Sequence, residues 1–269
     1  IGCGGILRVG SNMMVPIEIS HTQFPLTGVS PPALGHVDLW LTDLSKWSLT
    51  KASSDAKEDA RSEHKQLVRD RRIHTQFFLR LLLGRYLDIP GKDLSFQKTP
   101  RGKPFIEDAP ISFNLSHSRE WLVVAVSAPS DLGVDLEVLR KITRAQDLSA
   151  RYFSPEETNV LSHLAEAEKS KQFLTRWTAS EALVKANGSS IAQALSGLVL
   201  DAEAKQLLAC PTGWSPKENW HFQHFEVGDD MPFGAHPRTP LLGCVALSRP
   251  LLGLHLRTVA PPLPIKVSA

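Results

Sequence analysis

Between residues 133 and 188 the chain sets three carboxylates where apolar packing would otherwise run unbroken. Gly133-Val134-Asp135-Leu136-Glu137-Val138 alternates as a strand does: Val134, Leu136 and Val138 take one face, Asp135 and Glu137 the other. Downstream, Arg176-Trp177-Thr178-Ala179-Ser180-Glu181-Ala182-Leu183-Val184-Lys185 reads as a helix. Phe173, Trp177, Glu181, Val184 and Lys185 share one of its faces at spacings of three and four. A carboxylate on an aromatic stripe is costly unless it meets a cation. The two strand carboxylates cannot supply one, whereas a divalent metal between strand and helix satisfies all three.

Composition bounds what such a site can belong to. The 269 residues suffice for one large domain or two small ones, and 42% apolar with 22% charged content is globular. No apolar run approaches the length of a membrane span, so no membrane association is expected. Cys3, Cys210 and Cys244 form no CxxC, which argues against a disulfide framework or structural zinc and for a reducing, cytoplasmic setting. The net charge is only +2, yet residues 61 to 103 hold eleven Lys or Arg against four Asp or Glu. A basic surface of that kind suits a phosphate-rich ligand or an acidic partner.

In chain order, residues 1–13 read as a tag or disordered start without the pattern of a signal peptide, Met13 or Met14 being the natural beginning. Strands are expected at Val15 to Ile19 and Val37 to Leu41, then a helix from about Ser54 to Leu87 with Leu67, Ile73, Phe77, Phe78, Leu81 and Leu82 as its apolar stripe. Leu94 to Phe96 reads as a short strand and Pro100 to Pro104 as a rigid loop. Ile111 to Ser118 and the apolar run Trp121 to Ser127 are strands, with Ser116-His117-Ser118 at or near the turn between them. Ser154-Pro155-Glu156-Glu157 is a helix start with a capping box, and Lys169 to Asn187 is a helix stopped by Gly188. Strands are expected at Leu198 to Leu200, Trp220 to Val227, Leu241 to Leu247 and Leu254 to Val259, ahead of a loose tail at 261–269. The division is an N-terminal α+β half over 14–130 and a C-terminal α+β half over 131–260. Each half is strands plus a long helix, which permits a pseudo-twofold arrangement.

Each motif has a plain structural reading. Asp-x-Glu is commonly surface charge, and Glu-x-x-x-Lys is the ordinary helix ion pair. Ser116 and His117 point oppositely on a strand, so they do not make a nucleophile and base; phosphate binding is a better use than that, and a turn histidine in a satisfied hydrogen-bond network is the reading the residues alone favour. The case for a site is the co-occurrence of these pieces with the basic first half.

Three blocks carry a family resemblance: Gly102-Lys103-Pro104 with Phe113-Asn114-Leu115-Ser116-His117-Ser118; Gly133-Val134-Asp135-Leu136-Glu137; and Phe153-Ser154-Pro155-Glu156-Glu157 leading to Trp177 through Lys185. In that order and spacing the chain resembles the Sfp-type 4′-phosphopantetheinyl transferases. The resemblance implies two similar α+β halves with the site in the cleft between them. It implies a monomer that moves the phosphopantetheine arm of coenzyme A to a serine of an apo acyl or peptidyl carrier protein, releasing 3′,5′-ADP. Asp135, Glu137 and Glu181 would hold Mg2+, or Mn2+, against the coenzyme A pyrophosphate. Glu181 would take the serine proton directly or through a water, and Lys185 would stabilise the leaving group. Ser116 and His117 would bind phosphates, Lys103 would lie by the adenine end, and Arg71, or Arg72 beside it, would hold a phosphate.

Two features depart from the family pattern. Ala186-Asn187-Gly188 follows Lys185 where a basic turn is usual, and Asp55 and Glu58 stand where lysines for the 3′-phosphate are common, leaving Lys57, Arg61 or Lys65 to replace them. Two other readings compete: a carrier-binding relative without activity, and a basic nucleic-acid-binding module. The intact Asp135, Glu137, Glu181 and Lys185 argue against the first. Thin aromatic interleaving argues against the second, so no nucleic-acid partner is expected.

Overall fold

Three consecutive strands between residues 112 and 138 fix the centre of the fold, because one is apolar up to its last residue and each flanking strand gathers most of its polar residues on one face. The computed structural model describes residues 15–23, 26–47, 60–228 and 239–260. In chain order the elements are β1 (Ile17–Gln23), β2 (His36–Asp43), α1 (Ala60–Leu87), β3 (Gln97–Lys98), β4 (Pro104–Phe105), β5 (Ser112–Ser118), β6 (Trp121–Ser127) and β7 (Leu132–Val138). There follow α2 (Ala145–Tyr152), α3 (Pro155–Ser162), α4 (Glu166–Asn187), α5 (Ile191–Ala194), β8 (Val199–Leu200), β9 (Leu207–Ala209), β10 (His221–Val227), β11 (Leu241–Leu247) and β12 (Gly253–Ala260).

The result is a mixed α/β chain with two principal sheets. One has the order β1-β12-β2-β6-β5, parallel across β1, β12 and β2 and antiparallel from there to β5. The other is antiparallel with the order β10-β11-β7. Their inner faces share one core, in which Leu39, Val123 and Leu256 meet Val134, Leu136 and Val245. On the outer face of the larger sheet, α1 packs Phe78, Leu79, Leu82 and Leu83 against Trp40, Leu122 and Val124. On the outer face of the smaller sheet, α4 packs Ala179, Ala182, Leu183 and Ala186 against Cys244 and Ala246. Every residue of β6 is buried, as expected of an apolar strand between two covered faces.

α3 begins where its sequence predicts. The Ser154 hydroxyl accepts from the Glu157 N–H and the Glu157 carboxylate accepts from the Ser154 N–H. Glu157 also pairs with the fully buried Arg176 at 3.1 Å, so this acidic residue ties α3 to α4 and serves the fold. Gly188 ends α4 at φ 73°, a left-handed position suited to glycine.

Several expectations are corrected. Leu94 to Phe96 is no strand; those residues pack irregularly, Phe96 edge-on against Phe113, and pairing begins only at Gln97 opposite Phe105. The buried stripe of α1 runs through Thr75, Phe78, Leu79, Leu82, Leu83 and Tyr86, leaving Ile73 and Phe77 exposed. The expected stripe is rotated: it takes in Ile73 and Phe77 and leaves out Leu79, Leu83 and Tyr86, because which line of a broadly apolar helix meets the sheet is set by packing. α2 was not expected, since its start has no side-chain cap. One strand from the C-terminal stretch, β12, lies between β1 and β2 in the larger sheet. The expectations for residues 1–13, Asp55, Lys57, Glu58 and 261–269, and for the side chains at 61 and 65, fall outside the described residues. No described helix is long and apolar enough to cross a membrane.

Candidate active site

Gly133 determines how closely α4 lies on β7. A Cβ there would stand 2.0 Å from the carbonyl oxygen of Ala182 and 2.4 Å from the nitrogen of Ala186. With no side chain in the way, the helix settles onto the strand, and Glu181 and Lys185, one turn apart, come down over Asp135.

The Lys185 ammonium is the hub. It donates to Asp135 Oδ1 at 2.6 Å, to Ser116 Oγ at 3.0 Å and to the Val134 carbonyl at 3.3 Å, and it lies 3.5 Å from Glu181 Oε2. Ser116 Oγ donates to the same Asp135 oxygen at 2.7 Å. Asp135 Oδ2 is buried with no hydrogen-bond donor. Burial pushes the Asp135 carboxyl up, against the pull of Lys185. Burial, then the charge of Asp135, pushes Glu181 up to about 7. The pair therefore carries more negative charge than one lysine neutralises well.

Glu137 faces the same way, its charge adds to the rise of both carboxyls, and one of its oxygens is tied down. Its Oε2 accepts from Ser118 Oγ at 2.8 Å and from Arg140 Nη1 at 2.6 Å. Among the described residues no three His, Cys, Asp or Glu side chains are grouped closely enough to hold a metal ion. The sequence reading placed a metal as the cation between strand and helix; in this structure the Lys185 ammonium stands there. The buried Asp135 oxygen without a donor, with the Glu181 carboxyl beside it, still fits a hard divalent cation, which takes carboxylate oxygens.

The Ser-His-Ser trio is divided by the pleat. Ser116 and Ser118 turn to β7, while His117 turns to α1, its Nε2 lying 2.8 Å from Thr75 Oγ1. Thr75 Oγ1 donates its one proton to the Arg71 carbonyl at 2.8 Å, so Nε2–H of His117 is the donor in that contact. Burial first, then the charges of Arg71 and Lys185, hold His117 down to about 4, a neutral ring at pH 7. A histidine so placed between two cations is poised for an anion, which would favour its protonated form. Ser116, by contrast, is buried and bonded to Asp135 and Lys185.

Lys103 Nζ donates to the Ala186 carbonyl at 3.0 Å, at the C-terminal end of α4, and burial lowers its pKa. Arg71 is exposed on α1, one turn before Thr75. The structure thus gathers Ser116, Asp135, Glu181 and Lys185 into one cluster, sets His117 and Arg71 alongside it, and leaves Glu137 and Lys103 with partners of their own. Sequence reasoning did not single out Thr75, Asn114, Ser118 as a partner of Glu137, or Arg140. The signal for Asn114 and Ser118 was available: both share the strand face of Ser116.

Two family profiles and several known proteins match the chain. The profile of the 4′-phosphopantetheinyl transferase superfamily matches residues 131–234, and that of the 4′-phosphopantetheinyl transferase N-terminal region matches residues 38–129. The 4′-phosphopantetheinyl transferase HetI of Nostoc sp. (strain PCC 7120) is 33% identical over 189 residues, 65% of this chain and 78% of the relative. A putative 4′-phosphopantetheinyl transferase of Synechocystis sp. is 32% identical over 56% of this chain and 63% of its own length. The 4′-phosphopantetheinyl transferase gsp of Aneurinibacillus migulanus is 30% identical over 49% of this chain and 54% of its own length.

Proposed function

Because the chain belongs to the 4′-phosphopantetheinyl transferase superfamily, we propose that it moves the 4′-phosphopantetheine arm of coenzyme A to a serine hydroxyl of apo acyl or peptidyl carrier proteins. The observation that carries this reading is the cluster of Lys185, Asp135, Glu181 and Ser116 where β5, β7 and α4 meet. In the reaction the serine oxygen bonds to the phosphorus that bears the pantetheine arm. The bond from that phosphorus to the bridging oxygen of the pyrophosphate breaks, and 3′,5′-ADP departs with the extra negative charge.

Each side chain has a task that its surroundings suit. Glu181, with its pKa raised to about 7, is matched to accepting the serine proton near neutral pH, directly or through a water. Lys185 leaves the carboxylates for the pyrophosphate, where its charge stabilises the leaving oxygen. His117 and Arg71 receive phosphate, and Lys103 holds the end of α4 at which the ligand lies. Asp135 and Glu181, with Glu137 turned from Arg140, are the residues that would hold Mg2+ or Mn2+. When bound, that ion neutralises charge on the phosphates. Supporting this assignment, one Asp135 oxygen is buried without a donor.

The same proposal includes a monomeric, cytoplasmic enzyme whose two α+β halves are related by a pseudo-twofold axis. A long helix on the outer face of each sheet supports that relation. The test is the mass of apo carrier proteins from fatty acid, polyketide and peptide synthesis after incubation with coenzyme A and Mg2+. A gain equal to the phosphopantetheine arm on any of them is expected, and no gain on all of them would overturn the proposal.

A further inference from the structure

β7 is an edge strand of the smaller sheet, and it runs beside β5, an edge strand of the larger one, without a backbone ladder between them. Two of the amides on that side are nonetheless taken by side chains of β5. Val134 N–H donates to Asn114 Oδ1 at 2.9 Å, and Val138 N–H donates to Ser118 Oγ at 2.9 Å. Ser118 Oγ passes its own proton to Glu137 Oε2 at 2.8 Å, and Ser116 Oγ passes its proton to Asp135 at 2.7 Å. Asn114 and Ser118 thus replace ladder bonds to β7, while Ser116 and Ser118 reach its two carboxylates.

We infer that Ser118 is a positioning residue for the metal-binding carboxylates: with Asn114 fixing the register of β7, its hydroxyl sets where Glu137 presents its carboxylate. This rests on the transferase reading above. The hydroxyl is buried, and both its functions are committed: it accepts from the Val138 amide and donates to the neighbouring carboxylate. A Glu137 without that bond keeps only Arg140, whose partly exposed side chain draws it outward. A ladder between the strands would stabilise the fold as well, but it would not reach a side chain. The hydrogen bonds from the serines go where a ladder cannot, onto the two carboxylates of β7.

The experiment compares wild type, Ser118→Ala and Ser118→Thr, with Ser118→Cys replacing the alanine variant if that does not fold. Carrier modification is measured against Mg2+ at saturating coenzyme A, and against coenzyme A at saturating Mg2+. Mn2+ binding to the free protein is titrated separately. Loss of an outer hydrogen bond to a ligating carboxylate weakens metal binding by about 10- to 100-fold. Ser118→Ala is expected to raise the Mg2+ needed for half-maximal rate by about tenfold, with the KM for coenzyme A little changed, and Ser118→Thr to restore it. A lower turnover number with unaltered Mg2+ dependence overturns the inference and leaves Ser118 a structural residue. If the wild type modifies no carrier, the transferase reading fails and the Mn2+ titration decides: weaker binding in Ser118→Ala upholds the positioning role, and equal binding, or none in either protein, overturns it.

Discussion

Lys185 and Asp135, fifty positions apart in sequence, meet with the ammonium nitrogen 2.6 Å from Oδ1. The contact joins α4 to β7 and keeps two buried carboxylates from facing each other uncompensated. Lys185→Met removes the compensation while keeping most of the length. Carrier modification should fall by about 10²- to 10⁴-fold, the usual worth of a positioned proton donor or counter-charge. In chelator at pH 8 the variant should also lose roughly 1–3 kcal/mol of stability, less than a wholly buried pair costs because Lys185 is partly exposed. Denaturant melts with and without chelator check both; full activity in the variant would remove Lys185 from the mechanism.

Glu181 makes a pH-dependent contribution to stability. Its carboxyl is raised in the native protein from 4.5 to about 7, so the native state holds the proton more tightly than the unfolded chain. The stabilisation is complete below 4.5 and is lost as pH rises through about 7. In metal-free buffer, wild type should lose stability relative to Glu181→Gln between pH 5 and 8, and the variant should abolish transfer while melting at or above the wild-type temperature at pH 8. His117 acts with the opposite sign. Its native pKa of about 4 lies below the ordinary 6.5, so its contribution is present above 6.5 and is lost as pH falls through 4. Thermal melts of both single variants across pH separate the two. A Glu181→Gln protein with wild-type turnover and a lowered melting temperature would refute the role given to Glu181.

His117→Ala should raise the KM for coenzyme A about tenfold with a smaller change in turnover number, because the loss is of phosphate contact in the ground state. Dephospho-coenzyme A, which lacks the 3′-phosphate, tells which phosphate the ring meets: a variant equally impaired on both substrates places it on the pyrophosphate. In the wild type, binding of 3′,5′-ADP should move the His117 titration upward, measured by the ring's NMR shifts. A loss of turnover at saturating coenzyme A would show that His117 acts on the chemistry.

Gly133→Ala tests the approach of α4 to β7. The added carbon meets two backbone atoms of α4, at 2.0 Å and 2.4 Å, and backbone cannot rotate away. Displacement of the helix should cost about 1–3 kcal/mol or more, as overpacking does, and carry Glu181 and Lys185 off Asp135. Transfer should fall further than stability explains; a variant with unchanged activity and melting temperature would show that the helix does not need this contact.

How far the sequence disclosed this follows from the kind of signal each part carried. Alternation fixed β7 and the directions of Asp135 and Glu137, because strand side chains have no other choice. The capping box and Gly188 fixed the start of α3 and the end of α4 through local chemistry. The cation between strand and helix was anticipated as a need, but the lysine that answers it here was assigned to the ligand, since spacing cannot reveal that one helix turn brings Lys185 onto Asp135. Glu137 was read as equivalent to Asp135; only the fold shows Arg140 and Ser118 on it. Ile73 and Phe77 looked buried because their helix is amphipathic over a broad face, and which line of that face meets a sheet is a tertiary fact.

The place of β12 bears on how the protein is made. Residues 253–260 separate β1 from β2, and Leu254, Leu256 and Val259 fill both layers of packing around that sheet. A chain growing from its amino end therefore leaves the ribosome with β1 unable to take its neighbour until more than two hundred further residues are synthesised. The larger sheet is completed after the smaller one could form, its closing contacts are of long range, and folding should be slow for the chain's size. A fragment ending at residue 130 would carry β1 and β2 with unpaired edges facing each other, an invitation to aggregation and not a separable domain.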